Sequence, residues 1–176
     1  MESNQPVVIR RAEERDLAAL GRLGGQLVRT HHAFDARRFM APHPGLDEGY
    51  GWFLGAELKN PDAAVFVAER QASQDSRAAP DSIVGYAYAS LEGQSWKELR
   101  EPAGFLHDVV VDVTCRGSGI GSRLAEAAFR WLAEHGAPRV LVWTANANQS
   151  AQRLFQRLGF RTTMIEMTRE VDPDEV

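Results

Sequence analysis

The chain has 176 residues, 44% of them hydrophobic, a formal net charge of −4 at pH 7 and a single cysteine, Cys115. That length suits one domain, residues 1–176, with a sizeable core; mild acidity argues against a nucleic-acid partner, and one cysteine excludes a disulfide framework or a clustered cysteine metal site. No run of 18 apolar residues is present, and Met1-Glu2-Ser3-Asn4-Gln5-Pro6 lacks the basic and apolar regions of a leader, so no membrane association and a cytoplasmic location are expected.

In chain order, Val7-Val8-Ile9 reads as a first strand. A helix follows over about residues 16–30, with Leu17, Leu20, Leu23 and Leu27 on its inner side. Gly21, Gly24 and Gly25 weaken it, by up to ~1 kcal/mol each against Ala. Residues 31–47, rich in His and Pro, read as an irregular connection, and a second helix runs over 47–58 until Asn60-Pro61 stops it. Residues 63–69 and 83–90 are strands. The polar stretch between them, 71–82, reads as a mobile hairpin loop, and the domain core spans about 7–171.

The most informative stretch begins at Phe105 and Leu106 and continues through Val109-Val110-Val111 to Arg116-Gly117-Ser118-Gly119-Ile120-Gly121-Ser122. Strand, glycine loop, then helix is a phosphate cradle: glycines let successive N–H groups face one oxyanion, and the helix N-terminus adds partial positive charge. Ile120, Leu124, Ala127, Ala128 and Trp131 form the apolar face of that helix, and Arg116 supplies a cation at the loop entrance. A dinucleotide fingerprint fails because Ser122 stands where a third glycine belongs, and a P-loop fails because no Gly-Lys pair exists in the chain. Arg10, Arg11, Arg37, Arg38 and Arg123 offer further positive charge for an anionic ligand.

A second segment follows a short strand, Val140-Leu141-Val142-Trp143. Asn148 caps a helix whose apolar face is Ala151, Leu154, Phe155 and Leu158, and Gly159 suits the left-handed position that ends it. Residues 161–171 alternate Thr163, Ile165 and Met167 with other residues and read as a last strand.

Arg116-x-x-Gly119-x-Gly121 after an apolar strand resembles the pyrophosphate loop of the GCN5-related N-acetyltransferases. The segment from Asn148 through Ala151 and Phe155 to Gly159-Phe160 resembles the same family's later motif, so the matching region covers about residues 105–170. The resemblance implies a mixed, mostly antiparallel α/β sheet of six to seven strands with helices on both faces. It implies acetyl-CoA as co-substrate, no metal, and direct transfer of an acetyl group to a primary amine on a small molecule or a protein, by a monomer or a homodimer. An acyl-CoA-binding sensor without catalysis is the alternative.

Carried over by position, backbone groups of Val109, Val110 and Val111 contact the acyl and pantetheine portions, while residues 116–122 and Asn148 hold the rest of the cofactor. Three β-branched residues in a row are also what a strand covered on both sides requires, and Asn148 has a sufficient role as a cap. His107 and Asp108, just upstream, are the candidate proton acceptors; burial would tune either toward neutrality. Candidate acceptor-binding residues are His31, His32, Asp35, Arg38, Tyr50 and Trp52, with Trp96, Lys97 and Glu98 as another wall. The family's usual tyrosine is Phe155 here, which has no proton to give a departing thiolate, so a core role is the better reading of it.

Overall fold

The computed structural model describes residues 6–71 and 82–171. Five strands form one sheet in sequence order: β1 (Val7–Arg11), β2 (Ala63–Arg70), β3 (Ile83–Glu92), β4 (Ala103–Val111) and β5 (Val140–Val142). The first four pair antiparallel, and β5 runs parallel to β4 through Gly104–Val140, Phe105–Leu141 and Leu106–Val142. A parallel neighbour requires a crossover. Helix α3 (Ile120–Glu134) provides it, between β4 and β5.

Helices cover both faces, as the unbroken burial of residues 63–68 of β2 and 83–90 of β3 demands. Ala64, Phe66, Ala68, Ala87, Ala89 and Leu106 face Leu124, Ala128 and Leu132 of α3, and Phe155 of α4 (Gln149–Arg157) joins the same cluster. Val65, Val67, Tyr86, Tyr88 and Val110 face the other way, toward Leu20 and Leu23 of α1 (Leu17–Phe34) and Leu54 of α2 (Leu46–Glu57).

The first helix runs to Phe34, so residues 31–34 of the expected connection are helical. Its glycines serve packing. A Cβ on Gly21 would run into the Asp47 carbonyl and one on Gly24 into the Tyr50 ring, so the bare backbone lets α2 lie directly against α1. The cost in helix propensity is offset by that close approach, which sets the position of Tyr50.

One expectation meets a different outcome. Among the described residues the sheet has five strands, not six to seven, because residues 161–171 are exposed and make no ladder. Alternation alone specifies an extended segment; a strand also needs an edge beside it. The expected loop at 71–82 lies, but for its two end residues, outside the described residues.

Candidate active site

The centre of the site is an irregularity in β4. Pairing with β3 runs Val111–Gly85, Val110–Tyr86, Val109–Ala87 and Asp108–Tyr88, then jumps to Leu106–Ala89, leaving His107 as the extra residue of a β-bulge. The bulge brings His107 and Asp108, adjacent in sequence, to the same face of the sheet. Asp108 contacts Tyr50 and Tyr86, whereas the His107 ring stacks on Tyr88 at 4.7 Å and on Phe105 at 5.5 Å between centroids.

Asp108 is buried, and its Oδ2 accepts from Tyr50 Oη at 2.6 Å and from Tyr86 Oη at 2.8 Å. Burial pushes its carboxyl above the usual carboxylate range, and the two phenols, with His107 and His31 at longer range, pull partly against that. Both phenols are in turn held protonated, chiefly by burial and then by the Asp108 charge. The trio therefore fixes the bulge and keeps two hydroxyl donors on one carboxylate oxygen.

His107 is more open, with 29% of its side chain exposed. Its Nε2 lies 2.8 Å from Ser90 Oγ and 3.5 Å from Glu92 Oε1. Burial lowers its pKa below the ordinary imidazole value, while Asp108, Glu92 and Glu57 oppose that shift. At neutral pH the ring is thus mainly unprotonated and able to accept a proton. Glu92 also lines an open depression of about 560 Å³ with Ser95, Trp96, Glu98 and Arg100.

Beyond the bulge, β5 leaves the sheet. The last β4–β5 partners are Leu106 and Val142, so from His107 to Val111 no strand among the described residues lies on that side of β4. Val109 and Val111 pack toward α3 and Val110 toward the opposite core, so their side chains serve both layers and their main chain lines the opening.

The strand ends in a fastened turn. Asp112 N–H donates to the Val84 carbonyl, Asp112 Oδ1 accepts from Thr114 N–H at 3.0 Å, and Arg22 of α1 reaches Asp112 Oδ2 at 3.1 Å. Cys115 is buried and accepts from Arg70 Nη2 at 2.6 Å. Arg116 is exposed, its Nε donating to the Val111 carbonyl at 3.1 Å. Ser118 Oγ donates to the Cys115 carbonyl at 2.6 Å.

Gly117 and Gly119 both adopt φ +80°, the left-handed region that disfavours side chains, and a Cβ on either would meet nothing within 4 Å. Among the described residues no protein acceptor meets the N–H groups of residues 117–122; the first helical bond runs from Arg123 N–H to the Gly119 carbonyl at 3.2 Å. Six successive donors in an exposed loop at a helix N-terminus fit an anionic phosphate group. Ile120 is buried in the core, which anchors that terminus.

The second motif packs behind the loop. Asn148 Oδ1 caps α4, accepting from Ala151 N–H and Ser150 Oγ at 3.1 Å each. Phe155 is 7% exposed and meets Phe160 edge to face at 5.6 Å.

Of the proposed acceptor residues, Tyr50 reaches Asp108, and His31 stands near enough to influence its charge. His31 Nδ1 lies 3.0 Å from the Leu27 carbonyl, and its ring packs edgewise on Phe39 at 4.9 Å. His32 Nδ1 is 3.3 Å from the Phe39 carbonyl, and Asp35 Oδ1 accepts from the N–H groups of Arg37 and Arg38. Arg38 pairs with Glu166, and Trp52, 79% exposed, lies on the outer side of α2. Tyr86, Tyr88, Ser90 and Glu92 escaped the reading of the sequence. Alternation along β3 was their only signal, and it says nothing of which strand lies opposite.

The site thus sits in a mixed sheet whose fourth strand bulges and then opens beside a glycine loop. The acetyltransferase (GNAT) family model matches residues 28–160, and the chain belongs to that family. It is similar to the mycothiol acetyltransferase of Thermobispora bispora, 30% identical over 142 residues that cover 77% of this chain and 43% of that one. The match thus covers less than half the length of that relative. Among solved structures, a tetramutant of the BH1408 protein from Bacillus halodurans superposes with TM-score 0.75 at 22% identity, covering 93% of this chain and 99% of the other. Aminoglycoside N-acetyltransferase AAC(6')-Iy in complex with CoA superposes with TM-score 0.72 at 22% identity, covering 97% and 98%. These likenesses establish the fold. No helix among the described residues is long and apolar enough to cross a membrane, and no group of three or more His, Cys, Asp or Glu in them could hold a metal ion.

Proposed function

We propose that this protein is an N-acetyltransferase that moves an acetyl group from acetyl-CoA directly to a primary amine. The observation that carries the reading is the β4 bulge: it sets an unprotonated imidazole beside a strand edge that leads straight into a loop of unmet N–H donors. When bound, acetyl-CoA supplies a thioester carbonyl open to attack by a neutral amine.

The chain's own groups then divide the work. Backbone donors of residues 117–122 bind the pyrophosphate, aided by the Arg116 charge. The exposed main-chain edge at Val109, Val110 and Val111 pairs with the amides of an extended pantetheine arm, much as an added strand would. Asn148 is occupied as a cap and supports the loop through α4. His107 accepts the proton of the incoming ammonium, and Asp108, gripped by Tyr50 and Tyr86, positions the bulge. His31, His32, Asp35, Arg38 and Trp52 border the acceptor side to differing depths. A small-molecule amine is the favoured acceptor, since mycothiol and aminoglycosides are named for proteins of this fold.

The test is acceptor-dependent release of CoA thiol across a panel of amines. Release with at least one amine is expected. Tight acetyl-CoA binding with no release from any amine would instead favour a sensor, for which Phe155 in place of a phenol is the supporting observation.

A further inference from the structure

A neutral imidazole carries one proton on two nitrogens, and the surroundings of His107 decide which one bears it. The ring lies nearly parallel to Tyr88 at 20° and to Phe105 at 17°, so stacking on both sides fixes its plane. Its Nε2 edge meets two oxygens, Ser90 Oγ at 2.8 Å and Glu92 Oε1 at 3.5 Å. Turned over, the ring would set a C–H against the buried Ser90 hydroxyl. Nδ1 has no hydrogen-bond partner among the described residues.

Glu92 can only accept. Its other oxygen, Oε2, is already held by Arg100 Nη2 at 2.7 Å, and the Arg100 guanidinium is fixed in turn by Glu98 at 2.6 Å and by lying 4.9 Å over the Phe105 ring. Arg100 therefore keeps Oε1 turned toward the imidazole. A proton on Nε2 meets two acceptors, whereas a proton on Nδ1 meets none from the described residues and leaves the Nε2 lone pair facing a carboxylate. We infer that Ser90 and Glu92 are positioning residues that hold neutral His107 as its Nε2–H tautomer, so that Nδ1 is the atom that takes the proton of the incoming ammonium. The inference rests on the reading of His107 as base. The ammonium N–H bond breaks, its electron pair stays on the amine nitrogen for attack, and the proton forms a bond to Nδ1. The resulting imidazolium then donates its Nε2–H toward the Glu92 carboxylate, and the proton on Nδ1 leaves to solvent. The arrangement also argues against Ser90 as an acyl-accepting nucleophile, since such a dyad places its carboxylate on the imidazole nitrogen remote from the serine, and here both oxygens meet Nε2.

Nitrogen-15 spectroscopy of the full chain labelled at histidine tests this without acetyl-CoA or amine, so its outcome is separate from whether any amine is acetylated. Among the five histidines, the His107 signals are those lost in His107→Gln. Above the imidazole pKa they should show a protonated Nε2 and a bare Nδ1. The double variant Ser90→Ala, Glu92→Gln should show a mixture of tautomers, and kcat should fall with the share of the active form, about two- to tenfold. Ser90→Thr, which keeps the hydroxyl, should restore the parent signals. Burial lowers the imidazole pKa while Asp108, then Glu92, then Glu57 at the end of α2 oppose it, so Glu92→Gln removes one opposing charge. The His107 titration and the acid limb of kcat/KM should both move further down in that variant. A parent ring protonated on Nδ1, a tautomer unchanged in the double variant, or a titration that does not fall in Glu92→Gln would each overturn the inference.

Discussion

The hydroxyl of Tyr50 on α2 donates to Oδ2 of Asp108 on β4 at 2.6 Å, so the helical layer and the bulged strand are joined by one short, charge-assisted bond. Tyr50→Phe leaves Tyr86 as the remaining phenolic donor and should cost about 1.5–3 kcal/mol at pH 7, as expected for a bond to a charged group. The loss should shrink as acid protonates the carboxyl. Urea unfolding at pH 7 and pH 4 measures both; equal losses at the two values would show that Tyr50 acts by packing alone.

Asp108 also dictates a slope of stability against pH. Its folded pKa is raised, so the stability linked to it is fully present below the unfolded value, near ~3.9, and is lost as pH rises through the folded value. Asp108→Asn removes that titration. The parent should therefore lose stability relative to Asp108→Asn as pH rises from about 4 toward neutrality. Parallel stability curves for the two proteins would contradict the raised pKa.

For His107 the shift is downward, so the acid limb of kcat/KM should fall below the ordinary imidazole value of about 6.5. His107→Gln should lower kcat/KM by ~10²–10⁴-fold at neutral pH and remove that limb, with partial recovery at high pH where free amine is abundant. Unchanged turnover with an unchanged pH profile would move the base elsewhere.

Some of this was legible in the residues and some was not. The glycine loop and the Asn148 cap are local: their φ demands and capping chemistry are written in consecutive positions, and both appear where the spacing puts them. The bulge at His107 is not local, because an extra residue is defined only against the strand opposite, and nothing in His107-Asp108 names Tyr88 and Ala89 as partners. Gly21 and Gly24 read as weak points of a helix, since the sequence shows their propensity but not the α2 backbone that needs their missing Cβ atoms. Residues 161–171 were legible as extended chain and not as unpaired, because pairing belongs to the edge available.

The two loop glycines should respond differently. Gly119→Ala forces a side chain into φ +80° at a cost of about 1 kcal/mol or more, shifts the donor array and should weaken acetyl-CoA binding by at least about tenfold. A Cβ on Gly121 would make only ordinary contacts, 3.5 Å from Leu154 Cδ2 and 3.7 Å from Val111 Cγ2, facing the protein and not the open loop. Gly121→Ala should thus bind within a few-fold of the parent and gain up to ~1 kcal/mol of helix propensity. Calorimetry that finds the two variants equally impaired would refute the division.

Phe155 is where this chain departs from the family's usual chemistry, and its surroundings say what the residue does. The ring is buried in the α3 side of the core and edge-on to Phe160, so Phe155→Leu should cost roughly 1–2 kcal/mol through lost packing while the folded protein keeps its pH profile of turnover. Phe155→Tyr is the sharper experiment. A thiol's pKa of about 8.5 already makes its thiolate a fair leaving group near neutral pH, so a new phenol has little barrier left to remove, and kcat should stay within about twofold, well short of the ~10²–10⁴-fold of an effective general acid. The added hydroxyl, if it finds no partner in that apolar cluster, costs about 1–3 kcal/mol of stability, which thermal unfolding reads independently of rate. A tenfold rise in kcat for Phe155→Tyr would show that departure of the thiolate limits the parent and that the family's phenol is missed; a stability loss with unchanged kcat would establish Phe155 as a core residue in an enzyme whose leaving group needs no proton from it.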